Sequence, residues 1–110
     1  MVGAHNGNIV NTKELIAELE DKGHVFQGEN DGEVVVHVIE EALKQTKDLS
    51  SACRKADTVL RGDYAYVVTE NAKDRMVCVK KYSSLYLGIG DDFICCSSDL
   101  PSIIQFTDQI

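Results

Sequence analysis

No apolar run in this chain approaches the roughly 20 residues of a membrane-crossing helix. The N-terminus also lacks the basic-then-apolar pattern of a secretory signal. Cations are in deficit, with 11 Lys and Arg against 18 Asp and Glu, a formal net charge of -7. That balance excludes broad, sequence-independent binding to nucleic acid or to an anionic membrane surface. It leaves room for a small anionic substrate held by a few placed groups. The four cysteines, Cys53, Cys78, Cys95 and Cys96, form no Cys-x-x-Cys pair, and no His stands at a metal-ligand spacing from them. They read as reduced thiols used as small apolar residues, and neither a metal nor a cofactor is expected. A glycine-rich phosphate loop, paired catalytic carboxylates and a serine elbow are missing too. Gly88-x-Gly90 lacks the strand-to-helix setting of a nucleotide loop and reads as a hairpin. With 110 residues and 44% hydrophobic content, the chain supports one domain or part of one. A cytoplasmic protein is the expectation.

Periodicity divides what is present into two halves. Met1 to His5 reads as a short strand, with a turn at Asn6-Gly7 or Gly7-Asn8. Asn11 and Glu14 fit a capping pattern ahead of a helix over 12–22, which Lys22-Gly23 ends. His24 to Phe26 reads as a short strand. Asp31 is placed to cap a second helix over 32–44, where Val34, Val35, Val38, Ile39, Ala42 and Leu43 recur at the helical period. A third helix runs over 49–60. Beyond Gly62 the pattern becomes extended: Tyr64 to Val68, a polar loop from Glu70 to Asp74, Arg75 to Lys80, then a hairpin of Ser84–Ile89 and Phe93–Ser97 around Gly90-Asp91-Asp92. Asp99 caps a last short helix with Pro101 in its first turn, and Phe106 to Ile110 end where another strand can begin. The expected class is α+β, with helices covering one face of an antiparallel sheet of about four strands after Gly62. The opposite face should be unusually apolar and suited to pairing with another chain.

Three residues stand out chemically. Asn6 and Gly7 offer two donors at one point, an amide and a main-chain N–H, the makings of an oxyanion hole. Gly7 also permits close approach of the backbone to a ligand. The same dipeptide is an ordinary turn former, and both readings stay open on these residues alone. Asp31 offers a carboxylate for a substrate ammonium, or a helix cap, or both. His5 and His37 lack an obvious partner in sequence, and His5 reads as structural. The Lys80-Lys81 pair reads as a solvated strand end. No residue in the chain reads as a nucleophile.

The order of segments resembles class II glutamine amidotransferases. Ala4-His5-Asn6-Gly7-Asn8-Ile9-Val10-Asn11 is similar to their HNG-x-[IL]-x-N segment. Glu29-Asn30-Asp31-Gly32-Glu33-Val34 is similar to [ST]-[DE]-[ST]-E-V. Leu60-Arg61-Gly62-Asp63-Tyr64-Ala65 resembles L-[RK]-G-A-Y, Ser83-Ser84-Leu85 with Gly88 resembles S-P-L-x-x-G, and Phe93 to Asp99 resembles a later [AS]-S-D segment. The likeness spans essentially the whole chain. It implies a partial αββα sandwich of the N-terminal nucleophile hydrolase type, an oxyanion hole of Asn6 and Gly7, and a substrate site in which Gly7 and Asp31 hold glutamine, Asp31 at its α-amino group. The Ser98-Asp99 ending and the short sheet loops resemble the branch that makes glucosamine 6-phosphate from fructose 6-phosphate. Asn8 resembles the amidophosphoribosyltransferase branch, and a degenerate, non-catalytic ligand-binding or assembly module is a third reading. Gly32, Asp63, Tyr82 and Ser84 depart from the family pattern. The family nucleophile is an N-terminal Cys well upstream of the HNG segment, and the Arg that binds the glutamine carboxylate is upstream as well. The resemblance therefore implies that residues 1–110 are the later portion of a glutaminase domain, inactive alone. Its implied partners are L-glutamine, a sugar-isomerase domain of the same parent chain, and further copies in a homo-oligomer.

Overall fold

The computed structural model describes residues 1–28, 30–70 and 73–110, and its elements follow the expected switch from helix to strand. A strand β1 (Val2–Ile9) leads into helices α1 (Thr12–Asp21), α2 (Asp31–Leu43) and α3 (Leu49–Asp57). Strands β2 (Gly62–Thr69), β3 (Met76–Lys81), β4 (Tyr86–Ile89) and β5 (Ile94–Ser97) follow, then a short helix α4 (Leu100–Ile104). All ladders are antiparallel, and they form two sheets, β1-β2-β3 and β4-β5. The α+β class and the four strands after Gly62 are thus found. No helix among the described residues is long and apolar enough to cross a membrane.

Side-chain alternation assigns the sheet faces. A Cβ placed at Gly3 would lie 3.0 Å from Val36 Cγ2, and Ile9 is buried in the main core, so odd residues of β1 face the helices. Their β2 partners on that face include Tyr64, Tyr66 and Val68, all at or below 1% exposure. From the helices come Leu15, Leu19, Val34, Val35, Val38, Ile39, Leu49 and Ala52. The Tyr64 and Tyr66 hydroxyls both donate to Asp57 Oδ1, at 2.9 and 3.2 Å, so their polar tips are satisfied at the end of α3. Burial pushes both phenols well above the usual tyrosine range; the Asp57 carboxylate adds to it at Tyr64, and the Cys53 thiol and then Asp57 add to it at Tyr66.

The opposite face is less apolar than expected. Ala4, Ala65, Val67 and Cys78 lie at its middle, but Asn6, Asn8, Asp63 and Lys80 occupy one end by register. The β4-β5 hairpin flanks this face and makes a smaller unit with α4, centred on Ile103, which is 1% exposed. The expected C-terminal strand begins only as a tail: Ile89 N–H donates to the Gln109 carbonyl at 2.8 Å.

Several local expectations need correction. Asn6-Gly7 is no turn; β1 runs through it in unbroken register, because glycine allows Gly7 a φ of 105° inside a strand. His24 to Phe26 form no strand among the described residues, since His24 is drawn by its side chain to α2. Asn11 makes no capping bond; its amide instead donates to the Val59 carbonyl and accepts from Arg61 N–H, tying α1 to the α3–β2 connection. The cap of α2 is Asn30, whose Oδ1 accepts from Glu33 N–H at 2.8 Å, with Asp31 the first helical residue. Helix α3 ends at Asp57, short of the expected 60. Glu29 of the acidic segment and residues 71 and 72 of the polar loop lie outside the described residues.

Candidate functional site

Strand β1 is an edge strand, and its hydrogen bonding organises the site. Val10 N–H donates to the Arg61 carbonyl at 2.8 Å, one step beyond the Ile9–Gly62 pair. In an antiparallel ladder the paired and unpaired residues alternate. Even residues of β1 are therefore bonded to β2, and odd residues direct their N–H groups to the open edge. Ile9 shows this directly, its N–H donating to Asp31 Oδ2 at 2.9 Å. By the same alternation the Gly7 N–H belongs to the outward set.

Gly7 itself cannot be replaced without moving the backbone. A Cβ there would meet the Asp63 carbonyl oxygen at 2.3 Å, Tyr64 Cα at 2.9 Å and Ser83 Oγ at 3.0 Å. Ser83 arrives beside Gly7 because Tyr82 takes a left-handed φ of 69° just after β3. Asn6, one residue earlier, is exposed on the far face. There it lines a concavity of about 280 Å³ with Ala4, Ala65, Val67, Leu85, Cys96 and Ser97. That volume is near the lower end for small-ligand pockets, about 300 Å³.

Asp31 sits at the start of α2. Its Oδ1 lies 2.9 Å from the Thr12 hydroxyl and its Oδ2 holds Ile9 N–H, so both oxygens already join β1, α1 and α2. A carboxylate oxygen accepts more than one hydrogen bond, which leaves capacity for a ligand. The concavity lined by Asp31, Ile9, Thr12 and Glu14 shares no lining residue with the one lined by Asn6. What the two share is the edge of β1. Gly7 and Ile9 are two residues apart, so their outward N–H groups are roughly 7 Å apart along the strand, with the Asp31 carboxylate fixed at one of them.

His5 lies earlier on β1, on the helix face and against Gly32. Burial holds it below the ordinary histidine range, and the Asp31 carboxylate opposes that shift. Its Nε2 is buried with no hydrogen-bond partner among the described residues, so His5 is packed but only partly satisfied. Two of the thiols, Cys53 and Cys96, are poorly suited to attack. Burial pushes Cys96 up to about 11, with Cys78 and Cys95 adding to the effect, and burial also raises Cys53. His37 stands apart from this region, in a cluster with His24. Ser83, Ser97 and Cys96 had no assigned role in the sequence. Their only signal was membership of the later segments, because it takes the turn at Tyr82 to bring Ser83 beside Gly7 and the folded hairpin to bring Cys96 and Ser97 beside Asn6.

Comparison with known proteins gives the family and the fold. Residues 1–105 match the family described as "Glutamine amidotransferase domain". The chain is 40% identical over 111 residues to the glutamine–fructose-6-phosphate aminotransferase (isomerizing) of Thermococcus kodakarensis, covering 100% of this chain and 18% of that protein. It is 42% identical over 107 residues to the same enzyme of Symbiobacterium thermophilum, covering 96% of this chain and 17% of that protein. Among solved structures, glutamine phosphoribosylpyrophosphate amidotransferase from B. subtilis, complexed with ADP and GMP, superposes with a TM-score of 0.77 at 27% identity, over 96% of this chain and 23% of that one. The chain thus spans about a fifth of the length of the curated relatives it matches. The helices packed on antiparallel sheets, together with these neighbours, make the fold part of an N-terminal nucleophile hydrolase sandwich.

Proposed function

This chain belongs to the glutamine amidotransferase domain family, and from that premise we propose that its parent protein hydrolyses L-glutamine and delivers the ammonia to fructose 6-phosphate, giving glucosamine 6-phosphate and glutamate. Residues 1–110 are then the later portion of the glutaminase domain. The nucleophile comes from residues outside this chain, and a sugar-isomerase domain of the same parent uses the ammonia. The protein works in the cytoplasm, as a homo-oligomer.

The observation that carries the site assignment is the edge of β1. An oxygen at the corner where the far face meets that edge is where the Asn6 amide and the Gly7 N–H can converge. Two donors there stabilise the negative charge of a tetrahedral intermediate. About 7 Å along the same edge, Asp31 offers a carboxylate to an ammonium. Glutamine has three carbons between its amide carbon and its α-nitrogen, and that length suits the span. Gly7 then contributes to both catalysis and substrate binding, Asn6 to catalysis, and Asp31 to binding.

Sequence identity favours fructose 6-phosphate as the acceptor. Identity to the fructose 6-phosphate enzymes is 37–42%, against 27% for the phosphoribosylpyrophosphate enzyme. The TM-score of 0.77 keeps amidophosphoribosyl transfer as the second reading. A non-catalytic module is the third, favoured by the occupation of both Asp31 oxygens within the protein.

In the parent enzyme, Asn6→Ala should lower glutaminase kcat on the order of a hundredfold, and Asp31→Ala should mainly raise KM for glutamine. Unchanged kinetics in both variants would remove the site assignment. Supplying fructose 6-phosphate or phosphoribosyl pyrophosphate as ammonia acceptor separates the first two readings, and no turnover with either leaves the third.

A further inference from the structure

Away from β1, a second polar cluster lies where the residues after α1 meet the exposed side of α2. His24 Nδ1 is 2.9 Å from His37 Nδ1, and His24 Nε2 is 2.7 Å from Glu41 Oε2. Glu40, one helical turn after His37, places its Oε2 3.8 Å from His37 Nδ1, too far for a hydrogen bond. From these positions we propose that His24 Nδ1, His37 Nδ1 and Glu40 Oε2 form a binding site for one divalent transition-metal ion of the zinc class.

Four features support a site rather than a chance grouping. The three ligand atoms lie within 4.8 Å of one another, and they are the imidazole and carboxylate donors that zinc accepts. Tetrahedral zinc with bonds of about 2.0–2.1 Å to nitrogen separates two ligands by about 3.4 Å. The two imidazoles need to part by only about half an ångström from their present 2.9 Å. Glu41 supplies the outer support that ligating histidines commonly have, an accepting carboxylate on the other ring nitrogen. Lys44 Nζ holds that carboxylate at 3.0 Å, and the Phe26 ring, 4.3 Å from the His37 ring, fixes the second imidazole. The histidine side chains are 8% and 17% exposed and Glu40 is 42% exposed, so an ion enters from the Glu40 side and water completes its coordination.

The proton inventory is consistent. An ionised Glu41 only accepts, so His24 carries its proton on Nε2 and leaves Nδ1 free. His37 then donates from Nδ1 in the metal-free protein. On binding, it shifts that proton to Nε2 through solvent, and both Nδ1 atoms face the ion. Glu40, Glu41 and Lys44 together carry one net negative charge, which favours a cation.

Zinc titrated calorimetrically into the metal-stripped chain, with thiols kept reduced, tests this. One ion should bind per chain. Glu41→Gln should weaken binding about 10- to 100-fold. Glu40→Gln should weaken it about tenfold or more, and His37→Ala should abolish saturable binding, while Cys96→Ser changes nothing. Glu40 is a partly exposed surface residue, so its variant reports even where His37→Ala fails to fold. Absence of saturable zinc binding would overturn the proposal. So would binding that survives Glu40→Gln undiminished, or binding that disappears in Cys96→Ser.

Discussion

On the helix side of the β1-β2-β3 sheet, Val34, Ile39, Leu49, Ala52, Ala56 and Tyr64 have no exposed surface. The hairpin unit flanking the other side leaves Leu87 48%, Ile94 74% and Phe106 69% exposed. One side is sealed by three helices whose apolar residues recur at the helical period. The other is flanked by a hairpin of two four-residue strands and a five-residue helix, and its largest fully buried aliphatic side chain is Ile103. The comparison teaches where each task sits. Stability is built on the helix side. The candidate donors of Asn6 and Gly7 lie on the far face and at the open edge, where packing does not consume them. Asp31 joins the two, reaching from the helix layer to the edge of β1.

The contrast breaks if packing matters equally on both sides. Leu49→Ala should cost about 3 kcal/mol in urea or thermal unfolding, as expected for a fully buried aliphatic residue. Asn6→Ala should change stability by no more than about 0.5 kcal/mol, because its side chain faces solvent. Equal losses would refute the division of labour. Next in size is Asp57→Ala, which leaves two buried phenols without their acceptor. Its loss should be about 2 kcal/mol, and a double change of Tyr64 and Tyr66 to Phe should remove most of the dependence on Asp57.

A smaller effect sharpens the picture through pH. Hydrogen bonds from His24, then Lys44, hold the Glu41 carboxyl down to about 2. A carboxyl depressed in the folded state contributes stability above its ordinary pKa and loses it as pH falls towards the folded value. The stability difference between the wild type and Glu41→Gln should therefore be complete above about pH 5 and shrink towards pH 2. A difference that grows on acidification would contradict the contacts to His24 and Lys44. The smallest effect is at Gly32, where the family carries Ser or Thr. A Cβ there would lie 3.4 Å from Asn30 Oδ1 and 3.7 Å from His5 Cβ, ordinary contacts. Gly32→Ser should be tolerated and gain about 0.5 kcal/mol, with no change in glutamine affinity.

The helices were legible because their apolar residues repeat at the helical period, and the four later strands because their β-rich runs sit between turn residues. What escaped was decided by contacts distant in sequence. Asn6-Gly7 carries the composition of a turn, yet pairing with Ala65 and Tyr64 keeps it in a strand. Asn11 has the composition of a cap, but a loop some 50 residues away takes its amide. Asn30 and Asp31 are both good caps, and sequence alone could not tell which would turn towards β1. The candidate site was legible as residue types in a family order. Its geometry was not, since the outward direction of the Gly7 N–H follows only from the ladder with β2.

The central claim is that these residues carry the charge-stabilising and substrate-holding parts of a glutaminase but not its nucleophile. The most direct test measures ammonia released from L-glutamine by the 110-residue chain and, beside it, by the parent protein with its upstream residues. The account predicts release by the parent, lost when its N-terminal Cys is changed to Ala, and none by the chain alone. Release by the chain alone, abolished by substituting Cys53, Cys78, Cys95 or Cys96, would contradict it.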